Sequence, residues 1–249
     1  MSNYDFKLSN GNRDHVIEYI KAARMNDPSF TVVDVGGSMN SWAAQYVDSI
    51  VDFVDCPNAD SKIRHFKCDI TDPDSWHEIM KHVDSNGKFD FCICTHTLED
   101  IMNPEFVSRQ IAKIAKSGYI AVPSKHRELA RFENGRNTYR GYIHHRWIFD
   151  IIDNVFVGFP KINYIDSNDA FDRIANVSEH ISDLSFFWKD TIDIRYVNNN
   201  YLGPSVHAVI GYYNELLNDN INCRETGAAD DENFIVFNPP SKTTPELTI

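Results

Sequence analysis

The feature that most limits the fold of this chain is a regular alternation of strand and helix patterns over about residues 15–124. Short runs rich in β-branched and aromatic residues, such as "FTVVDVGG" at 30–37 and "YIAVPS" at 119–124, alternate with segments of helical periodicity. Alternation of this kind favours a parallel sheet, because parallel neighbours need a crossover connection between them. The sequence therefore predicts an α/β fold with a doubly wound, mostly parallel sheet that is covered by helices on both faces.

Nine segments carry this pattern. The predicted strands are 30–37, 50–55, 63–69, 89–100 (a strand that runs into a loop) and 119–124, and the predicted helices are 13–25, 41–47, 72–84 and 103–118, the last of which is expected to stop at Gly118.

The pattern changes after residue 124. Residues 125–183 lack clean alternation and are predicted to form an inserted substrate lobe. The aromatic run "SFFWKD" at 185–190, just after it, would pack this lobe onto the sheet. Two later strand patterns, at 190–198 and 206–216, predict a terminal antiparallel pair that closes the sheet edge. We therefore expect one domain over 1–249, with a core of about 15–124 and 184–216, the lobe at 125–183 and a polar tail at about 226–249.

Composition limits the class of partner. The net charge is −12 and is not gathered into blocks, which disfavours binding to nucleic acid or to an anionic membrane. The chain has no apolar run long enough to cross a bilayer, and its start lacks the pattern of a secretion signal. Its five cysteines are an odd number without paired CxxC clusters, as expected in a reducing compartment. These features predict a cytoplasmic protein with a small-molecule or glycan partner.

The glycine turn at the end of the first predicted strand is the first candidate site. In open α/β sheets, ligands bind at the carboxyl ends of the strands, and glycines let the backbone approach a ligand closely. The run "VVDVGGS" places Asp34, Gly36, Gly37 and Ser38 at this point. Asp55 ends the next predicted strand, at a spacing suited to a carboxylate that binds a ribose diol.

Five stretches, "VVDVGGS", "VDFVD", "FKCDITD", "FDFCICTHTLEDIMNP" and "GYIAVPS", together resemble the successive signature segments of class I S-adenosylmethionine-dependent methyltransferases. The resemblance covers roughly residues 30–124 and implies a Rossmann-like fold with S-adenosylmethionine as cofactor. It also implies the roles of individual residues. Asp34 and Gly36 would lie by the methionine part of the cofactor, with Gly37 and Ser38 in the same turn, and Asp55 would bind the ribose. Asp69 and Ile70 would contact the adenine, and Thr95 and His96 would lie under the reactive methyl group.

The chain departs from this family in two places. The stretch "HTLEDIMNP" is similar to the His-x-Leu-Glu-His-x-x-x-Pro form of small-molecule and sugar methyltransferases, with Asp100 in place of the second histidine. The family pattern Gly-x-Gly-x-Gly becomes Gly36, Ser38 and Asn40 here, which leaves open a catalytically silent, methyltransferase-like binding module. NAD binding is disfavoured because no complete G-x-G-x-x-G run is present.

The run "YRGYIHHRWIF" at 139–149 is the candidate acceptor site. His144 or His145, or His96 upstream, would accept a proton from an acceptor hydroxyl or amine, since imidazole titrates near neutrality. Substrate contacts are assigned to four neighbours: Arg140 and Arg146 for an anionic group, and Tyr142 and Trp147 for the flat face of a sugar or ring.

A divalent metal held among His96, His126, His144, His145, Glu99 and Asp100 is a further interpretation, and it is not favoured because no histidine pair here has helical i, i+4 spacing. Such an ion would orient a diol acceptor and lower its pKa, as in some methyltransferases, or it would serve a metal-dependent hydrolase. The plainest alternative is that one of the adjacent histidines is a hydrogen-bonded packing residue and that the other faces water. The sequence leaves the acceptor and the oligomeric state open.

Overall fold

The computed structural model describes residues 7–9, 13–54, 62–131, 139–173 and 181–196, all within one compact unit, Met1–Val206. The strands are β1 (Lys7–Ser9), β2 (Val32–Val35), β3 (Ser49–Asp52), β4 (Arg64–Lys67), β5 (Phe91–Thr95), β6 (Ser117–Pro123), β7 (Trp147–Ile152), β8 (Val155–Pro160), β9 (Asp183–Lys189) and β10 (Ile194–Tyr196). The α-helices are α1 (Arg13–Asn26), α2 (His77–Asn86), α3 (Pro104–Ile114), α4 (Lys125–Leu129) and α5 (Tyr164–Ser167), with 3₁₀ turns at Ala44–Tyr46, Pro73–Trp76 and Asp169–Arg173.

Seven strands form the main sheet in the order β1-β9-β6-β5-β2-β3-β4. The five strands from β4 to β6 are parallel to one another, and β9 is antiparallel to both of its neighbours, β6 and β1. From β2 the chain builds outward through β3 to β4 and then restarts on the other side of β2 with β5. This reversal is the switch point of a doubly wound sheet, and it confirms the fold class predicted from the sequence.

The sheet is buried on both faces because alternate residues of its central strands point to opposite sides. Val32 packs on the face that α1 covers with Val16 and Ile20, which lie four residues apart on one side of that helix. Val33 packs on the opposite face, where α2 and α3 contribute apolar residues such as Ile111. The two covered faces leave the sheet's carboxyl edge as the place where a ligand can approach.

A second sheet, in the order β10-β8-β7, follows α4. Strands β7 and β8 pair antiparallel, and β10 pairs parallel with β8. Trp147, Phe149 and Phe156 of this sheet are buried in the same core cluster as the face that α2 and α3 cover. The stretch between β6 and β9 is therefore packed onto the main sheet through its own small sheet.

The connection from β2 to β3 corrects one prediction, that of a helix at 41–47. It contains only a 3₁₀ turn, because its backbone bonds span three residues, from the amide of Ala44 to the carbonyl of Ser41 and from that of Tyr46 to Ala43. Helix α3 likewise ends at Ile114, before Gly118, because the amide of Lys116 bonds to the carbonyl of Phe89 and draws the chain into the sheet.

The antiparallel edge of the sheet is built from other segments than predicted. The aromatic run at 185–190 was expected only to pack the lobe, but most of it lies within β9 and pairs along the whole of β6. The predicted strand at 190–198 yields the short β10 in the second sheet, and 206–216 and the tail lie outside the described residues. Among the residues that the structure describes, no helix has the length and apolar character that crossing a bilayer would need.

Candidate functional site

The glycine turn after β2 takes a backbone conformation that glycine favours. Gly36 has a φ of +78°, and its amide donates to the carbonyl of Val51, at 2.9 Å. A Cβ at this position would lie 2.4 Å from the side chain of Thr97, which follows β5. Gly36 therefore lets the turn after β2 approach the loop after β5 across the switch point.

The buried side chain of Asp34 packs against this turn. Its carboxylate lies so close to Gly37 that a Cβ there would be 1.9 Å from Oδ2, and the Oγ of Ser41 donates to the same oxygen, at 3.4 Å. Burial raises the pKa of Asp34 to about 7, and the bond from Ser41 offsets only part of that effect. The turn is thus built around a carboxyl group that faces the protein interior.

The other residues assigned to the cofactor lie at the same edge of the sheet. Asp69 and Ile70 follow β4, and Thr95 ends β5, on the two sides of β2 and β3. Asp69 is exposed and accepts hydrogen bonds from the amide and the hydroxyl of Thr71, at 2.9 and 2.6 Å. Asp55, the predicted ribose ligand, lies outside the described residues. The structure therefore places the described members of the set along one edge, and their contacts with a cofactor stay predictions.

His96, directly after β5, is held between two carboxylates. Its φ is +52°, its Nδ1 lies 3.4 Å from Oε1 of Glu99, and its Nε2 lies 3.4 Å from Oδ2 of Asp183. Burial alone would lower the pKa of His96, but the two carboxylates outweigh it and raise that pKa to about 10. An imidazole with this pKa is already protonated at neutral pH, so the geometry favours a cationic role for His96 over the predicted role of proton acceptor.

The charge of His96 can be tested by NMR titration of its ring protons. We expect His96 to stay protonated through neutrality and to titrate near pH 10, because deprotonation leaves Glu99 and Asp183 without their cation. Asp183→Asn should lower the pKa of His96, because it removes one of the two neighbouring carboxylates. His82 serves as the internal comparison, since burial and Arg64 lower its pKa below the usual value. Titration of His96 at or below neutral pH in the unmodified chain would contradict this account.

A polar cleft of about 530 Å³ opens beside His96. It lies at the carboxyl ends of β5 and β6 and at the start of α1, the edge where a doubly wound sheet binds its ligands. Its volume lies within the range typical of small-molecule sites, roughly 300–1,000 Å³. The charged or polar side chains that line it include Arg13, Asp14, His96, Arg127, Tyr142 and Asp183.

The loop after β5 is tied to the start of β7 by backbone hydrogen bonds. The carbonyl of Glu99 accepts from the amides of Arg146, at 2.7 Å, and Trp147, at 3.2 Å. The indole Nε1 of Trp147 donates to the carbonyl of Ile101, at 2.9 Å. These bonds bring the predicted "HTLED" and "HHRW" motifs side by side, although they are more than forty residues apart in the chain.

Asp100, His144 and His145 converge at this junction. Oδ1 of Asp100 lies 3.5 Å from Nε2 of His145 and 3.8 Å from Nε2 of His144. The two imidazole rings meet edge to face, with centroids 4.5 Å apart, and Tyr142 of the cleft lies 4.6 Å from the ring of His145. The structure thus unites the two predicted histidines with the aspartate that replaces a family histidine.

Glu128 and Lys161 fix the orientation of the His145 ring through its Nδ1. The Nδ1 of His145 lies 2.7 Å from Oε1 of the fully buried Glu128, whose Oε2 lies 2.7 Å from Nζ of Lys161. Gly141, with a φ of +57°, makes room for this carboxylate, since a Cβ there would lie 2.4 Å from Oε2. The pairing holds Nδ1 of His145 against Glu128 and directs Nε2 at Asp100.

Buried acids surround the cluster. Glu99 is fully buried, and its carboxylate, whose Oε1 lies 3.4 Å from Nδ1 of His96, accepts no hydrogen bond from the described residues, nor does the buried Oδ1 of Asp100. Burial, together with the charge of Glu99, raises the pKa of Asp100 to about 7. Negative charge is therefore concentrated at a place where buried carboxylates need a cation or a proton.

The four predicted substrate contacts divide into two kinds. Tyr142 lines the cleft, and Arg146 is nearly buried beside Asp100, where burial lowers its pKa. Arg140 is fully buried and donates to the carbonyls of Leu129, Ile165 and Phe171 and to the carboxylate of Asp172.

Trp147 is likewise fully buried. These surroundings favour structural roles for Arg140 and Trp147 over the predicted contacts with an acceptor.

Three functional candidates were missed in the sequence: Glu128, Lys161 and Asp183. Glu128 sits in α4, a short helix with an unremarkable sequence, and Lys161 follows β8 in a segment without a recognisable motif. Only Ser124, which caps α4 by accepting from the amide of Arg127, marks the start of that helix in the sequence. The roles of the three residues arise from tertiary contacts across separate segments.

Comparisons with known proteins match no protein-family model and no curated protein. Among solved structures, the chain is similar to the N-terminal domain of EvdMO1 with SAH bound, at 11% identity and a TM-score of 0.33 over 69% of this chain and 79% of that one. It is also similar to a cyclopropane-fatty-acyl-phospholipid synthase-like protein from Lactobacillus casei, at 10% identity and a TM-score of 0.35 over 75% and 96% of the two chains.

A third similar structure is the MycE methyltransferase from the mycinamycin biosynthetic pathway in complex with Mg and SAH, at 10% identity and a TM-score of 0.33 over 83% of this chain and 59% of that one. The similar structures thus include a methyltransferase and proteins crystallised with SAH. The doubly wound fold of this chain rests on its own strand order.

Proposed function

We propose that the chain transfers a methyl group from S-adenosylmethionine to a hydroxyl or amine of a small molecule. The observation that carries this proposal is the geometry of the switch point, where the turn at Gly36 faces the loop after β5 beside a polar cleft. The motifs that resemble class I methyltransferases lie along this one edge of the sheet. Resemblance and topology therefore point to the same place.

The donor would lie along the carboxyl ends of β2, β3 and β4. The turn of Asp34, Gly36, Gly37 and Ser38 would face its methionine part, and Asp69 with Ile70 would face the adenine. Thr95 and His96 would lie under the sulfonium group. Asp55 keeps its proposed role on the ribose, since it lies three residues after the end of β3 in the chain.

The acceptor would enter the cleft beside His96. Its lining is charged and hydroxyl-bearing, which suits a polar small molecule, and a sugar or glycan precursor fits this description. Residues 125–183 would provide one wall through Arg127 and Tyr142. We further propose that the protein acts in the cytoplasm and without a nucleic-acid partner, in line with its net charge of −12.

Proton removal would fall to the cluster of Asp100, His144 and His145. The contact between Nδ1 of His145 and Glu128 directs Nε2 at Asp100, where this nitrogen would take up the proton, whereas His96 is already protonated. His96 would instead contribute positive charge at the edge of the cleft. Holding donor and acceptor near attack distance would supply roughly 7–11 kcal/mol of the barrier, so the main work of the protein is positioning.

Calorimetry with S-adenosylmethionine and S-adenosylhomocysteine tests the donor site. We expect binding of both by the unmodified chain and loss of binding in Gly36→Ala, because the new Cβ meets Thr97. Gly87→Ala is the matched control: Gly87 also has a positive φ, +85°, but a Cβ there meets nothing within 4 Å. Gly87→Ala should therefore share only the backbone strain, about 1–2 kcal/mol, and keep cofactor affinity.

The second candidate function, a catalytically silent binding module, is favoured by Ser38 and Asn40 in place of glycines. Absence of binding to either compound at millimolar concentration would support that module and contradict methyl transfer. Mass spectrometry of small molecules that co-purify with the chain would then identify what the cleft holds.

A further inference from the structure

We propose that Asp100, His144 and His145 together bind one divalent transition-metal ion through Oδ1 of the aspartate and one nitrogen of each imidazole. The ligand-bearing atoms of the three residues all lie within 4.8 Å of one another. The proposal does not depend on cofactor binding, and it rests on the proposed function only for what the ion would do to an acceptor.

The distances fit a shared ion. Ligand atoms about 2.0–2.2 Å from one ion in tetrahedral geometry lie roughly 3.3–3.6 Å from each other. Oδ1 of Asp100 is 3.5 Å from Nε2 of His145 and 3.8 Å from Nε2 of His144. Small side-chain rotations would therefore bring the three atoms into coordination without a change in the backbone.

The surroundings of His145 match those of a metal-binding histidine. Such a histidine usually donates its second ring N–H to a carboxylate, which fixes the tautomer and raises the basicity of the ligating nitrogen. Here Glu128 accepts from Nδ1, at 2.7 Å, and Lys161 holds the other oxygen of Glu128, also at 2.7 Å. Nε2 is thereby directed at Asp100, on the side where an ion would bind.

The charge of the site calls for a cation. Among the described residues, Oδ1 of Asp100 is buried and has no hydrogen-bond partner. Lys161 is engaged by Glu128 and by the carbonyl of Tyr142, at 2.6 Å, while His96 lies between Glu99 and Asp183. An ion coordinated by Asp100 would satisfy the unpartnered oxygen and lower the repulsion between Asp100 and Glu99.

The ligand set indicates the kind of ion. Two imidazoles and one carboxylate suit Zn²⁺ and its neighbours in the first transition row, whereas Mg²⁺ and Ca²⁺ prefer oxygen ligands. Three protein ligands leave at least one open position, as in catalytic rather than structural sites. Asp100 and His144 are partly exposed, so water or an acceptor oxygen can reach that position, and the ion would lower the pKa of a bound hydroxyl. An imidazole nitrogen that holds the ion cannot also accept a proton, so in the metal-bound form the ion would replace the histidines in activating the acceptor.

The test is a metal titration of the full chain after removal of bound metal with EDTA, without any cofactor. We expect one Zn²⁺ per chain by calorimetry, and with Co²⁺ a visible spectrum of nitrogen and oxygen ligation. Asp100→Asn and His144→Ala should each weaken Zn²⁺ binding by at least tenfold. Glu128→Gln, which leaves all three ligands in place, should weaken it by about 10–100-fold, since Glu128 positions His145.

His77→Ala is the control, because His77 is an exposed histidine at the start of α2, outside this cluster. It should leave the affinity for Zn²⁺ unchanged. The proposal is overturned if the unmodified chain binds no Zn²⁺, if Asp100→Asn and His144→Ala bind it as tightly as the unmodified chain, or if Co²⁺ gives a thiolate charge-transfer band that places it on cysteine. Since no S-adenosylmethionine is present, each result is independent of whether the chain transfers methyl groups.

Discussion

Replacing both His144 and His145 by alanine is expected to abolish methyl transfer, a loss of about 10²–10⁴-fold in turnover, because the acceptor would lose the groups that take up its proton. S-adenosylmethionine affinity should stay within a few-fold, since neither histidine lies along the strand ends assigned to the donor. The measurement is a steady-state assay of S-adenosylhomocysteine release, paired with calorimetry of S-adenosylmethionine on the same preparation.

The two readouts separate catalysis from structure. Loss of cofactor binding together with turnover would mean that the histidines are structural or belong to the donor site, and retention of full turnover would remove them from the mechanism. His145 is nearly buried and bonded to Glu128, so circular dichroism and a melting curve should accompany the assay. The single variant His144→Ala, at a side chain that is one-third exposed, tests the same role with little risk to folding.

Replacing Arg140 by methionine is expected to lower the free energy of unfolding by about 3–5 kcal/mol, because it removes a buried cation whose partners stay behind. The guanidinium donates to the carbonyls of Leu129, Ile165 and Phe171, which belong to three separate segments. Methionine fills part of the volume but supplies no donor. Chemical denaturation with urea measures the change.

Arg109→Ala is the matched control, since Arg109 is an exposed arginine that pairs with Glu105 one turn away on α3. Such an exposed pair contributes about 0.3–0.5 kcal/mol, so the control should be nearly neutral. If Arg140→Met unfolds at the same urea concentration as the unmodified chain but loses activity, Arg140 would regain the substrate contact that the sequence suggested.

Local patterns in the sequence predicted much of the sheet. The five parallel strands and helices α1, α2 and α3 follow from runs such as that of β5 and from cap residues such as Asn103, which accepts from the amide of Phe106. The antiparallel strand β9 was misjudged because an aromatic run alone does not distinguish a strand from a segment that only packs against the sheet. Its place beside β6 is decided by tertiary burial, which periodicity alone does not contain.

The site was predictable in its histidines and not in their partners. His144 and His145 stand out because polar rings crowded among aromatics must find partners if they are buried. The acid and cation that orient His145, Glu128 and Lys161, and the acid that pairs with His96, Asp183, come from segments whose contacts only the folded chain defines. Arg140 shows the converse error, because an arginine in a polar loop was assigned to a ligand when backbone carbonyls surround it.

The pairing of β1 with β9 has a consequence for biosynthesis. Strand β1, at Lys7–Ser9, finds its only strand partner among the described residues at Asp183–Ser185. On the ribosome, β1 must therefore wait for its partner until β9 has been translated. Contacts so distant in the chain slow folding, because a long loop has to close before they form. During synthesis, the edge of the sheet at β6 thus stays unpaired until β9 pairs with it, and β1 pairs with β9 last.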